Sequence, residues 1–142
     1  MEVPHYAQWR DLVLDQLREY IAQGVTLLLP MATILETGNH IAQNGDGHQR
    51  RETAERFIEQ VRQAIEGRIP LAVPQPLLDP DVLNGYLDQF PDFAMREIGL
   101  GDLTIVKEFE KQCELNPVRH VFIWSLDHHL AGYVQEPPQW AV

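Results

Sequence analysis

The sequence predicts an α/β layer architecture with a parallel sheet. Two observations carry that expectation. Apolar residues recur at helical spacing over several segments, and short apolar runs rich in branched and aromatic residues, which read as buried strands, interrupt them. A length of 142 residues suits one domain with one core, and 44% hydrophobic residues with 23% charged ones are ordinary for a globular protein. The expected domain covers residues 1–134, with a tail at 135–142 that is poorly ordered or packed across the surface.

Taken in order, Trp9, Leu12, Val13, Leu17, Tyr20 and Ile21 form a helical stripe, so a helix is expected from about Pro4 to Gln23 and stops at Gly24. Val25–Leu29 reads as a short buried strand. Pro30 suits the first turn of the next helix, which carries Ile34, Leu35 and Glu36 and fades at the loop Asn44-Gly-Asp-Gly47. Ala54, Phe57, Ile58, Val61 and Ile65 predict a helix over 50–66, stopped by Gly67. Residues 69–80 hold four prolines and read as extended or irregular. Further helices are expected over 81–89 and 102–114, the second ended by Asn116-Pro117. Val121–Leu126 reads as a buried strand, with Phe122 and Trp124 as core aromatics.

Composition narrows the function classes. The apolar run Val25–Leu35 has 11 residues and includes Pro30, whereas a membrane span needs about 20. The N-terminus lacks the basic start of a secretory signal. Cys113 is the single cysteine, so no internal disulfide is possible, and a reducing cytoplasm is the expected compartment. Cys113 shares a helical stretch with Leu103, Val106 and Phe109 and reads as a buried structural thiol. A net charge of −10 argues against a broad basic nucleic-acid surface. Arg50, Arg51, Arg56, Arg62 and Arg68 make the middle of the chain more basic, but Glu52, Glu55, Glu59 and Glu66 are interleaved with them, as on a solvated helix face.

Three acids stand at the edges of apolar runs. Glu36 follows Val25–Leu35, Asp102 opens a helical pattern, and Asp127 closes the run Val121–Leu126. In a parallel sheet, residues just past the strands gather at one rim. Gathered carboxylates repel, and a hard divalent cation neutralises them. Each acid also has an ordinary explanation, such as a helix cap for Asp102.

At these residues the chain resembles the PIN-domain family, especially the toxin-type (VapC-like) ribonucleases. Leu29-Pro-Met-Ala-Thr-Ile-Leu-Glu36 resembles the segment with the family's second acid, and Gly99-Leu-Gly-Asp102-Leu-Thr-Ile-Val106 the segment with its third. Ile123-Trp-Ser-Leu-Asp127-His-His-Leu130 is similar to the last acidic motif. The resemblance covers about residues 5–130; each motif is short, and only the combination is specific. It implies a three-layer α/β/α fold and a metal-dependent endoribonuclease, with Glu36, Asp102 and Asp127 holding Mg²⁺ or Mn²⁺ that activates water for attack on an RNA phosphodiester. It also implies RNA as substrate, an antitoxin-like protein partner and a homodimer as possible assemblies, and a toxin role.

The departure from the family lies at the start. The family's opening strand, which ends in an Asp, has no counterpart, and Asp15 sits instead on a helical stripe, with Asp11 a weaker candidate still. A start further upstream, a degenerate module that binds without cutting, or a partner chain that completes the sheet would each account for this. A separate reading places zinc on Glu36, His40, His128 and His129, since residues 36 and 40 share one helix face. Asn39 and His40 could also line an RNA cleft.

Overall fold

The computed structural model describes residues 3–74 and 79–141; part of the proline-rich stretch expected to be irregular, residues 75–78, lies outside them. The described residues form five α-helices: α1 (Val3–Ala22), α2 (Met31–Gln43), α3 (Gly47–Ile65), α4 (Pro80–Met95) and α5 (Leu100–Leu115). Two short strands, β1 (Val121–Phe122) and β2 (Val134–Gln135), pair antiparallel, and a 3₁₀ turn, His128–Leu130, lies between them. The chain divides into two compact units, the first from residues 3–29 and 44–74 and the second from 30–43 and 79–141.

The expected three-layer α/β/α fold with a parallel sheet is therefore corrected: the protein is mostly helical, with a two-stranded antiparallel sheet. The physical reasons are local. The run Val25–Leu29 makes one isolated parallel bridge, Leu28 to Ala72, in which Leu29 N–H donates to Ala72 C=O and Ala72 N–H to Leu27 C=O at 2.8 and 2.9 Å. Pro30, Pro70 and Pro74 flank this bridge and bring no N–H, so the ladder cannot propagate. The run Val121–Leu126 is a strand only over its first two residues, with one further cross-strand bond from Ile123 N–H to Tyr133 C=O at 3.1 Å; beyond it Trp124 and Leu126 are 40% and 71% exposed. Phe122 is half-buried, so neither aromatic is a core residue.

In the first unit, α3 opens with a reciprocal capping box. Asp46 Oδ1 accepts from Gln49 N–H at 2.9 Å, and Asp46 N–H donates to Gln49 Oε1 at 3.1 Å. The charged face of α3 carries pairs one turn apart, such as Arg51–Glu55 at 3.1 Å, so the arginines lie on a solvated face as the sequence implies. Trp9, Leu12 and Ile21 on α1, with Ile58 and Ile65 on α3, remain exposed.

The second unit is organised by α5, which packs against α2, α4, β1 and the 3₁₀ turn. Leu103 and Val106 are fully buried, and Ile105, Val106 and Leu130 form a core flanked by Ala32, Phe93, Ile123 and Tyr133. Tyr133 also meets Phe109 edge-on, with centroids 5.7 Å apart. Gln135, expected to begin a loose tail, donates through Nε2 to the carbonyls of Asn116 and Arg119 at 2.8 and 2.9 Å, fastening the second strand to the chain that leaves α5. Cys113 is half-buried, and burial, then the charge of Glu110, push its thiol pKa up, as befits an inert thiol. Among the described residues no helix is long and apolar enough to cross a membrane.

Helix α4 runs six residues past the expected Gln89, through Pro91. Its end shows how the turn into α5 is built. Helices α1, α3 and α4 all close with the same paired bonds: Val25 N–H to Tyr20 C=O and Gly24 N–H to Ile21 C=O, Arg68 to Gln63 and Gly67 to Ala64, and Ile98 to Phe93 and Glu97 to Ala94. The left-handed residue is Gly24 (φ 73°) and Gly67 (φ 70°) in the first two, but Glu97 (φ 60°) in the third. A side chain in that region costs about 1–2 kcal/mol. Glu97→Gly is therefore expected to raise the unfolding free energy by about 1 kcal/mol, offset in part by the greater freedom of glycine in the unfolded chain. Urea denaturation measures this, and an equal or lower midpoint would contradict the strain.

Candidate metal centre

Three elements of the second unit bring the site residues to the first turn of α5. Helix α5 is entered through Gly99, whose backbone caps it without any side-chain bond. Asp102 is thus three residues inside the helix and not the cap that its position after Gly101 suggests. A carboxylate there is favoured by the helix dipole, by about 0.3–1 kcal/mol when exposed. Thr104 donates to the Gly101 carbonyl at 2.6 Å, so its hydroxyl is taken up by this same turn.

Glu36 arrives from α2. A β-carbon placed on Gly101 would lie 3.1 Å from Glu36 Oε1 and 3.8 Å from the Ala32 β-carbon. The bare Gly101 backbone therefore leaves the space that the Glu36 carboxylate fills, and small Ala32, one turn earlier, lets the helices approach. Asp127 arrives from the 3₁₀ turn. Its Oδ1 accepts from His129 N–H at 2.9 Å, and its own N–H donates to Ser125 Oγ at 3.0 Å. Leu130, only 5% exposed, anchors that turn in the core beside Ile105 and Val106.

The electrostatics join these pieces. Asp102 is half-buried, and its pKa is raised first by burial and next by the charge of Asp127, while His129 pulls it back. Asp127, His128 and His129 can each offer one ligand atom within 4.8 Å of the others. Of the three acids singled out in the sequence, Glu36 lies against Gly101 in the first turn of α5 and Asp127 acts electrostatically on Asp102, but among the described residues the donor atoms within ligand distance of one another are those of Asp127, His128 and His129. The sequence offers His129 only as a zinc ligand; its electrostatic effect on Asp102 follows from the Leu130 anchor, which an isolated His-His pair does not reveal. His40 engages in interactions of its own, and the proposed zinc set Glu36, His40, His128 and His129 is not what converges. Asp15 lies on α1 of the first unit, pairs with Arg18 at 3.0 Å and is 72% exposed.

Carboxylates are the usual ligands of Mg²⁺ and Mn²⁺, and Asp102 owes its raised pKa first to burial and then to the charge of Asp127. Comparison with protein-family models, curated proteins and solved structures found no match. The functional reading therefore rests on the residues themselves.

Two outcomes follow from this geometry. Gly101→Ala places a methyl against the movable end of Glu36, while alanine is the better helix former by about 1 kcal/mol. Stability should stay within about 1 kcal/mol of the parent or rise slightly, while Mn²⁺ affinity, read by calorimetry, should fall because the carboxylate is displaced; unchanged affinity would remove Glu36 from the site. The second concerns pH. A carboxyl whose folded pKa exceeds its unfolded one holds its proton more tightly when folded, so stability falls as pH rises from the ordinary value, about 4, through the raised one. Asp102→Asn should therefore be more stable than the parent at neutral pH without metal, with the difference shrinking below about pH 4. A difference independent of pH would contradict the repulsion.

Proposed function

We propose that this chain binds a divalent cation through Glu36, Asp102 and Asp127 and uses it to hydrolyse RNA phosphodiester bonds. The observation that supports the reading is that Glu36 lies against Gly101, the residue before Asp102, while Asp127 acts electrostatically on Asp102, though the three lie far apart in sequence. The likeness to PIN-type ribonucleases supports it through the order of the acidic motifs alone, since the described residues form a two-stranded antiparallel sheet and not a parallel one. Bound Mg²⁺ or Mn²⁺ would supply water activation and charge stabilisation at the phosphate.

The side chains would divide the work by their surroundings. Asp102, half-buried on a rigid helix, would hold the ion in place. Asp127, one oxygen fixed by the His129 N–H, presents its carboxylate in a set orientation. Glu36 is exposed at the end of a flexible stem and can adjust to an arriving phosphate. With a net charge of −10, the protein needs the cation to hold RNA as well as to cut it, so RNA binding should weaken sharply in a chelator. A homodimer or a protein partner with a basic segment would fit an acidic site of this kind, and the cytoplasm is the proposed compartment.

The second reading, a regulatory module that binds without cutting, is favoured by one observation: Asp15, the candidate for the family's first acid, is engaged with Arg18 on α1. Incubating purified protein with labelled RNA and Mn²⁺ separates the two. Cleavage that chelation stops, and that Asp102→Asn and Asp127→Asn each reduce to background while circular dichroism is unchanged, is the expected result. Metal and RNA binding without cleavage would establish the second reading, and cleavage that survives both substitutions would refute the site.

A further inference from the structure

We infer that α3 is a self-association surface: two copies of this chain pair their α3 helices antiparallel, burying Ile58 and Ile65 and setting Arg51 and Arg62 against Glu66 and Glu55 of the second copy. The inference is independent of the metal reading, since the unit that carries α3 holds none of Glu36, Asp102 and Asp127.

That unit is short of buried surface. It has helices of 20 and 19 residues, yet among its described residues Ala64 alone is buried. Amphipathic helices take most of their stability from packing an apolar face. Trp9, Leu12 and Ile21 on α1, and Ile58 and Ile65 on α3, stay exposed. The two helices present these residues differently. At about 100° per residue, Leu12 and Ile21 fall on opposite sides of α1. Ile58 and Ile65, 44% and 66% exposed, are seven residues apart and fall within about 20° of one another. Helix α3 thus offers the straighter seam.

The charges beside the seam show what covers it. Arg51, Glu55, Arg62 and Glu66 lie within an arc of about 60° along one flank of the isoleucines. Counted from the midpoint between Ile58 and Glu59, Glu55 and Arg62 are equally far in opposite directions, and so are Arg51 and Glu66. In an antiparallel pair the same flank of each helix faces its own copy. A two-fold axis at that midpoint therefore sets each arginine level with a glutamate of the second copy, and symmetry repeats every pair. The two Ile58 side chains meet at the axis, and each Ile65 lies near the small Ala54 of the other helix. The charges are free to be recruited. Among the described residues Arg62 makes no ion pair, while Arg51–Glu55 and Arg68–Glu66 are exposed pairs of the kind that contribute little. Net charge favours the same unit. Residues 3–29 and 44–74 carry seven arginines against eight acids, whereas residues 30–43 and 79–141 carry four basic residues against twelve acids. Two copies meet through the nearly neutral unit without the repulsion that the acidic one would bring. The isoleucines drive association and the ion pairs set its register. One helix pair covers less than the ~800 Å² per partner of a standard interface, so the dimer is weak and reversible.

Sedimentation equilibrium of the full chain over a range of concentrations tests this. The expected result is a monomer–dimer equilibrium that Ile58→Asp abolishes while circular dichroism is unchanged. Arg62→Glu and Glu55→Arg should each weaken the dimer about tenfold, because each sets like charges opposite one another at two symmetric places. An equal mixture of these two variants should associate about as strongly as the parent, because the facing charges at positions 55 and 62 are then of opposite sign. Residues 55 and 62 are about two turns apart on one helix, too far for that rescue to arise within a chain. A chain that stays monomeric at millimolar concentration overturns the inference and leaves the seam to a different protein. A dimer that survives Ile58→Asp overturns it as well, and so does a mixture that associates no better than either variant alone.

Discussion

Burial of helix α5 is the constraint on which the second unit depends. The other parts of that unit have little with which to hold themselves. Strands of two residues and 3₁₀ turns of three make too few backbone hydrogen bonds to persist in water alone. They stay in place because Leu103, Ile105 and Val106 offer an apolar surface against which Leu130, Ile123, Tyr133 and Phe93 can leave water. Burying a side chain of this size is worth about 1.5–3 kcal/mol, so a few such residues outweigh what the short ladder supplies.

The same constraint explains where the acids stand. Helix α5 is buried through its middle, at Leu103, Ile105, Val106 and Glu108, and its first turn, where backbone N–H groups still lack helical partners, is more open. Three chain segments reach that turn, each for a packing reason. Helix α2 approaches because Ala32 and Gly101 are small, which carries Glu36 there. The 3₁₀ turn approaches because Leu130 is pulled into the core, which carries Asp127 and His129. The turn before α5 is fixed by the tight closure of α4, which places Glu97 in a left-handed conformation and buries Ile98. The raised pKa of Asp102 records first its burial and then the charge of Asp127 that the packing brings near it.

Helices were the legible part of this sequence. Gly24 and Gly67 ended α1 and α3 as expected, and the apolar stripe of α3 marked its interior. The errors cluster where one pattern has two physical causes. Five or six consecutive apolar residues describe a buried strand, and equally a segment that is only partly buried; Val121–Leu126 pairs as a strand over two residues and then turns Trp124 and Leu126 to solvent. The helix expected to end at Gln89 continues through the exposed Pro91 to Met95. The Asp46–Gln49 capping box was present in the letters and could have placed the start of α3 three residues earlier.

For the site, the chain order of Glu36, Asp102 and Asp127 and their places beside apolar runs were enough to single them out, because residues next to buried segments are drawn wherever those segments pack. The sequence by itself thus determined the helices, through their 3.6-residue periodicity and stop signals, and the acids worth testing. What only the tertiary structure decided is which partner each apolar run meets. The expected sheet and the helical core both bury such runs, and hydrophobic free energy depends on area removed from water and not on the neighbour that removes it. The choice fell to the prolines that stop the ladder at Leu29 and Ala72, to the small residues that admit α2 to α5, and to the Leu130 anchor that sets His129 beside Asp102.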